Sequence, residues 1–333
     1  MAQRLWRRGR EILGLGPAAA SEEARVEPEA ALPPAEPVER RVLMVVHNPP
    51  IASEGGRRLT ELLGWNDPDR LAQEYIADLR EVSHGLVRYR IVERIEADWF
   101  PPKVDGFRYT AESYLQAWRT RSFHQPDAID YPAQVAAFDL IGRYDRGEID
   151  EAWFFSFPYA GDYESTMAGR GAFWLNSPPV PHTAQASGRF VIMAFNYERG
   201  VGEMLENYGH RVESTMARVY ERLGHGRNLW QLFTLYDRIA PGRAHCGNVH
   251  WAPNSERDYD WGNLRPVPSY CDDWLTYPHL PGHARTVNAR EWGGGDPRAH
   301  HKWWLAHLPH FQGESGGVLN HWWAYILDPN LVP

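Results

Sequence analysis

The sequence predicts an α/β fold with a mainly parallel central sheet, flanking helices and a long, loop-rich, Trp- and His-rich C-terminal region. Three observations carry that expectation. Apolar runs of strand length, VLMVV at 42–46, AWFFSF at 152–157 and RFVIMAFN at 189–196, read as strands buried on both faces. Amphipathic helical patterns separate them, which is the alternation expected of a layered α/β domain. From about residue 241 the text turns irregular, with Gly, Pro, Asn and Asp every few residues.

In chain order, the start MAQRLWRRGREILGLGPAAA is basic but has no continuous apolar core, so it does not read as a signal peptide. It is either a frayed terminus or a short amphipathic helix in which Leu5, Trp6, Ile12 and Leu13 touch a membrane surface. Residues 17–40 are Ala, Glu and Pro with few large apolar side chains, and such a segment buries too little to offset its ordering entropy. The division that follows is a disordered tether over 1–40, an α/β core over 41–240 and an irregular part over 241–333 within the same domain. After the first strand come helices over 58–65 and 68–82, the second capped by Asp67 with Pro68 at its first position. LVRYRIVERIEADWFP alternates like a strand, and helices follow over 111–121 and 132–144. A long helix spans about 201–223.

Net charge is −8 with His neutral, which disfavours a nucleic-acid partner. No stretch of 18 apolar residues occurs, so no transmembrane helix is expected and a cytoplasmic location is the default. There is no GxGxxG after a strand, no GxxxxGK[ST] and no GxSxG, which disfavours nicotinamide, ATP and serine-hydrolase chemistry. Cys246 and Cys271 are either one disulfide or two reduced thiols, and no tight C-x-x-C or H-x-x-x-H spacing makes them a Cys2His2 zinc site.

In α/β folds functional groups collect beyond the carboxyl ends of the strands. That rule selects His47 and Asn48 after the first run, Asp162 and Glu164 after the second, and Asn196 and Glu198 after the third. Each could equally be an ordinary loop or capping residue.

The helix GVGEMLENYGHRVESTM carries the sharpest local pattern. Val201, Leu205, Tyr208, Val212 and Met216 form an apolar stripe, and Glu203, Glu206, His210 and Glu213 form a polar one beside it. The polar stripe resembles the zinc-binding helix of the zincin metallopeptidases, whose HExxH places two His ligands one turn apart. Glu206 stands where the first His would be, Asn207 where the catalytic Glu would be, and His210 matches the second His. An amide at 207 cannot take a proton from water, so the resemblance implies a metal site without that mechanism. A divalent metal, zinc first, held by Glu206, His210, Glu213 and His250 is one reading; a solvated charge cluster is the other.

The chain holds 15 Trp and 15 His, and eight Trp and nine His lie between His245 and Trp323. Trp251, Trp261 and Trp292 alternate with carboxylates and amides, a pattern that suits stacking on sugar faces. Trp303, Trp304, Trp322 and Trp323 read as core. Gly293 to Gly295 followed by Asp296 and Pro297 open a helix, with His300 and His301 in its first turns, where the dipole favours neutral imidazole.

The leading functional expectation is a hydrolase with an acidic, aromatic-lined cleft acting on a glycan or glycoconjugate. Glu164 and Glu198 would be paired carboxylates about 5 to 10 Å apart, with His210 and His300 orienting substrate or tuning their pKa values. His47, Asn48, Asp162, Asn196, Trp251, Trp261, Trp292 and Asp296 would line the cleft. The alternatives are a metal-dependent, peptidase-like hydrolase using the helix just described, and a non-catalytic glycan-binding module.

Overall fold

The first apolar run becomes strand β1 (Val38–His47), and the computed structural model, which describes residues 32–224 and 226–333, builds a sheet around it. The short pair β2 (Pro50–Ile51) and β3 (Arg57–Arg58) leads into α1 (Leu59–Leu63) and α2 (Pro68–Val82), and β4 (Val87–Ala97) returns beside β1. Helices α3 (Ala111–Thr120), α4 (Tyr131–Ala137) and α5 (Leu140–Asp145) precede β5 (Glu151–Ser156), β6 (Ser165–Gly169) and β7 (Arg189–Asn196). Then come α6 (Val201–Tyr220), α7 (Leu229–Phe233), β8 (Val267–Ser269), β9 (Arg285–Val287) and α8 (Pro297–Ala306). The hairpin β10 (His310–Ser315) and β11 (Val318–His321) and helix α9 (Trp322–Leu327) close the chain.

The central sheet has the order β4-β1-β5-β7-β6, and only β6 runs antiparallel to its neighbour. The three apolar runs therefore lie side by side at its centre, with Met44 opposite Trp153 and Trp153 opposite Met193. Alternate residues face opposite ways along a strand. Met44, Val46, Trp153, Phe155, Met193 and Phe195 join one buried cluster with α2 and α6. Leu43, Val45, Phe154, Ile192 and Ala194 join a second with α4 and α5.

Two elements differ from the sequence expectation. The helix expected over 132–144 is broken, because Asp139 adopts φ +48 between α4 and α5. Strand β6, STMAG, has no long apolar run to announce it and pairs along β7 as an edge. Asp67 caps α2 through Asp69 N and Arg70 N, as its position implies.

Of the expected tether, residues 33–40 pair with the folded part: Pro34 bridges Phe311, Ala35 N donates to His310 O, and Val38–Arg40 open β1. The stretch before residue 32 lies outside the described residues, as do Leu5, Trp6, Ile12 and Leu13.

The C-terminal aromatics extend the core. Helix α6 packs against α8 and α9, and Trp230, Phe233, Trp274, Trp304 and Trp322 meet edge to face around α7. Beneath them Arg211 of α6 donates to Glu151 Oε2 at 2.6 Å and to Ile326 O, an ion pair sealed from solvent that ties β5, α6 and α9 together. No helix among the described residues is long and apolar enough to cross a membrane.

Candidate functional site

Helix α6 turns its apolar stripe to the sheet and leaves Glu206, His210 and Glu213 half-buried on the adjoining face. Gly209, one residue before His210, lets another segment approach: a Cβ there would lie 2.6 Å from Val249 Cγ2. The segment is a tight turn. Gly247 adopts φ +72, where a Cβ would meet Trp251 O, and Asn248 Oδ1 accepts from His250 N and Trp251 N. Trp304 Nε1 donates to Gly247 O and Val249 N donates to Glu213 Oε1. The turn is thus fixed at both ends and presents His250 to α6.

The result is a cluster in which one ligand atom each of Glu206, His210 and His250 lies within 4.8 Å of the others. His210 Nδ1 donates to Glu213 Oε2 at 3.1 Å, which leaves Nε2 facing Glu164 Oε2 at 3.9 Å. His250 Nε2 lies 3.0 Å from Glu206 Oε1, while its Nδ1 faces Asp258 Oδ1 at 3.3 Å. Each imidazole is therefore oriented by its own carboxylate, the arrangement that fixes metal-binding histidines. Tyr259, held at φ +58, places its hydroxyl 3.0 Å from His250 Nε2 and 3.3 Å from Glu206 Oε1.

Electrostatics in the cluster follow from its composition. Burial opposes charge on His210, yet the carboxylates of Glu213, Glu164 and Glu206 outweigh it and raise its pKa above the ordinary imidazole value. Burial also resists charge on Glu206, but the hydrogen bond with His250 and the nearby His301 and His210 hold it below the usual carboxylate range.

Next to the cluster a pocket of about 250 Å³ opens beyond the carboxyl ends of β5 and β7. Glu164 joins the two, since it lines the pocket and also faces His210. Asn176 Nδ2 donates to Glu164 Oε2 and fixes it. Asp162, Asn196, Arg199, Glu203 and Asn207 share the wall. Asp162 keeps some exposed surface, but both its carboxylate oxygens are sealed from solvent without a hydrogen-bond partner, as is Ser156 Oγ. Burial pushes its carboxyl up to about 6, against the pull of Lys103, which is itself paired with Asp127 at 2.6 Å. Asn207, at the position of the catalytic Glu in HExxH, donates to Ala194 O instead.

Other expected site residues lie elsewhere. His47 is buried against Trp99, Phe138 and Phe154 with Nε2 on Gln134, and Asn48 bonds twice to Thr60; both hold the start of the 48–60 loop. Glu198 is exposed and is not among the residues that line the pocket. Trp261 and Trp292 are core residues, 7% and 1% exposed, and Trp251 is covered by Tyr236 on one side and Arg238 near the ring. The two buried rings offer a sugar no free face. His300 is fully buried, stacked on Trp261 at 5.0 Å and without a polar partner, while Asp296 caps α8 through Ala299 N. Four aromatic side chains line the pocket: Phe157 and Phe195 are buried, and Tyr159 and Tyr163, 45% and 42% exposed, stack on Phe123 and Tyr131. Sequence reading missed Tyr159, Tyr163, Tyr259 and Asn176, because loop residues carry no periodicity, and took Asp258 only as one of the carboxylates between the tryptophans.

Fold and site thus define an α/β protein with a carboxylate and imidazole cluster beside a strand-end pocket. Compared with protein-family models, curated proteins and solved structures, the chain finds no match in any of the three.

Proposed function

We propose that the chain is a metal-dependent hydrolase. Glu206, His210 through Nε2 and His250 through Nε2 hold one divalent cation, zinc in preference, since carboxylate and imidazole suit it. The observation that carries this reading is the convergence of those three ligand atoms within 4.8 Å. The paired carboxylates behind the two imidazoles strengthen it. When bound, the cation polarises a carbonyl and acidifies water. Glu164, fixed by Asn176 and adjoining both cluster and pocket, takes the proton that Asn207 cannot. Tyr259 donates its hydroxyl toward the substrate oxygen, and Glu213 and Asp258 hold the imidazoles in place. The substrate lies in the strand-end pocket. The half-exposed rings of Tyr159 and Tyr163 favour a glycoconjugate over a plain peptide, because a sugar ring stacks on an aromatic face.

Glu164→Gln tests the assignment. On zinc-loaded protein turning over an acylated sugar or an activated ester, the variant retains its zinc and loses about 100- to 10,000-fold in kcat, the usual worth of a general base. Unchanged kcat in that variant removes Glu164 from the reaction, and absence of turnover over a panel of esters, amides and glycosides removes the hydrolase reading.

A further inference from the structure

We infer that Cys271, Asp272 and His307 form a second divalent-cation site, thiolate-containing and structural in kind, that clips the turn at 271–276 to the end of α8. It stands apart from the proposed hydrolytic site and does not rest on it. The ligand atoms of the three residues lie within 4.8 Å of one another, with Cys271 and His307 buried and Asp272 at the surface as the entry side. Each is aimed from behind. His307 Nδ1 donates to Trp303 O at 2.7 Å, which leaves Nε2 as the lone pair. Asp272 Oδ2 accepts from Arg285 Nε at 2.6 Å, while Arg285 also reaches Glu291 at 3.0 Å, so that the other oxygen stays toward the sulfur at 3.4 Å. Cys271 N donates to Ser269 Oγ, whose hydroxyl donates to His245 O.

The place needs a clip. Between α7 and α8 the backbone pairs through the three-residue strands β8 and β9, a single bridge of Ala244 to Ser269 and short 3-10 turns. A cation joining the turn to α8 is the kind of crosslink that small irregular regions use. Cys271 is a free thiol, and it gives up its proton to the buffer when a cation takes its sulfur. Binding therefore releases one proton and forms one metal–sulfur bond with no change of oxidation state.

Cobalt(II) added to the full chain separates the two sites, because only a thiolate ligand gives an intense near-ultraviolet charge-transfer band and the Glu206 cluster has none. The chain has two cysteines, so the source of the band is decidable. We expect the band to grow with one equivalent of cobalt, to vanish in Cys271→Ser and to persist in Cys246→Ser. His210→Asn lowers the total by one equivalent and keeps the band. His307→Gln, which leaves the thiol and its packing in place, weakens the cobalt affinity of the band at least tenfold. Wild-type protein without a band at saturating cobalt overturns the inference, as does a band that survives Cys271→Ser or an affinity unmoved in His307→Gln. A band that persists while His210→Asn leaves the stoichiometry unchanged supports this site and contradicts the catalytic one.

Discussion

Asp162 shows what single residues contribute to this site. Its carboxylate oxygens have no partner and no solvent, and burial raises its pKa to about 6 from an unfolded value near 3.8. A raised carboxyl binds more protons folded than unfolded, so its contribution falls as pH rises from about 4 to 6 and is fully unfavourable above that. Asp162→Asn accordingly stabilises the protein at pH 7 by up to roughly 3 kcal/mol, and does little at pH 4. Thermal melts at the two pH values check the difference; equal shifts at both would mean that charge is not the cause. Among the clustered residues, Glu206, His210 and Glu213 were legible because helical spacing puts the three on one face of α6; His250 was named with them, and the folded turn is what brings it there. Asp258 and Tyr259 were not, since only the folded loop brings them near. Trp261 and Trp292 misled for a similar reason: a linear mixture of rings and carboxylates does not say which of them turns inward.

At the scale of elements, α6 and the 247–251 turn make the site by close approach. Gly209→Ala places a methyl group 2.6 Å from Val249 Cγ2. The gain in helix propensity, about 1 kcal/mol, is smaller than the roughly 1–3 kcal/mol of overpacking, because the new methyl would also lie 3.2 Å from Val249 Cβ and 3.6 Å from the Trp304 ring. We expect a lower Tm and weaker zinc binding together, since the turn that carries His250 has to move. Isothermal titration with zinc reads the second effect, and wild-type affinity in the variant would show that the turn is not coupled to the cluster. Strands β1, β5 and β7 were legible because unbroken apolar runs are the signature of strands covered on both faces, and β4 by its alternation. Strand β6 was hidden by small residues, and the break at Asp139 by an otherwise helical pattern.

The whole molecule is built with many buried neutral histidines. Burial draws His47, His245, His301, His307 and His321 down to about 4 from an ordinary 6.5. The unfolded chain therefore takes up more protons than the folded one between about pH 6.5 and 4, and stability falls across that window as pH is lowered. Denaturant melts from pH 7 to 4 should show a steep loss with uptake of several protons on unfolding; a flat profile would contradict the burial of these rings. The Trp and His excess of the C-terminal part is thus largely core, and only His250 of its nine histidines reaches the cluster on α6. The central claim is that this cluster is a metal site, and anomalous scattering at the zinc edge from crystals of zinc-loaded protein tests it most directly. The account predicts a peak about 2.0–2.2 Å from Glu206 Oε1, His210 Nε2 and His250 Nε2. A zinc-loaded crystal with no peak among those three atoms would contradict it.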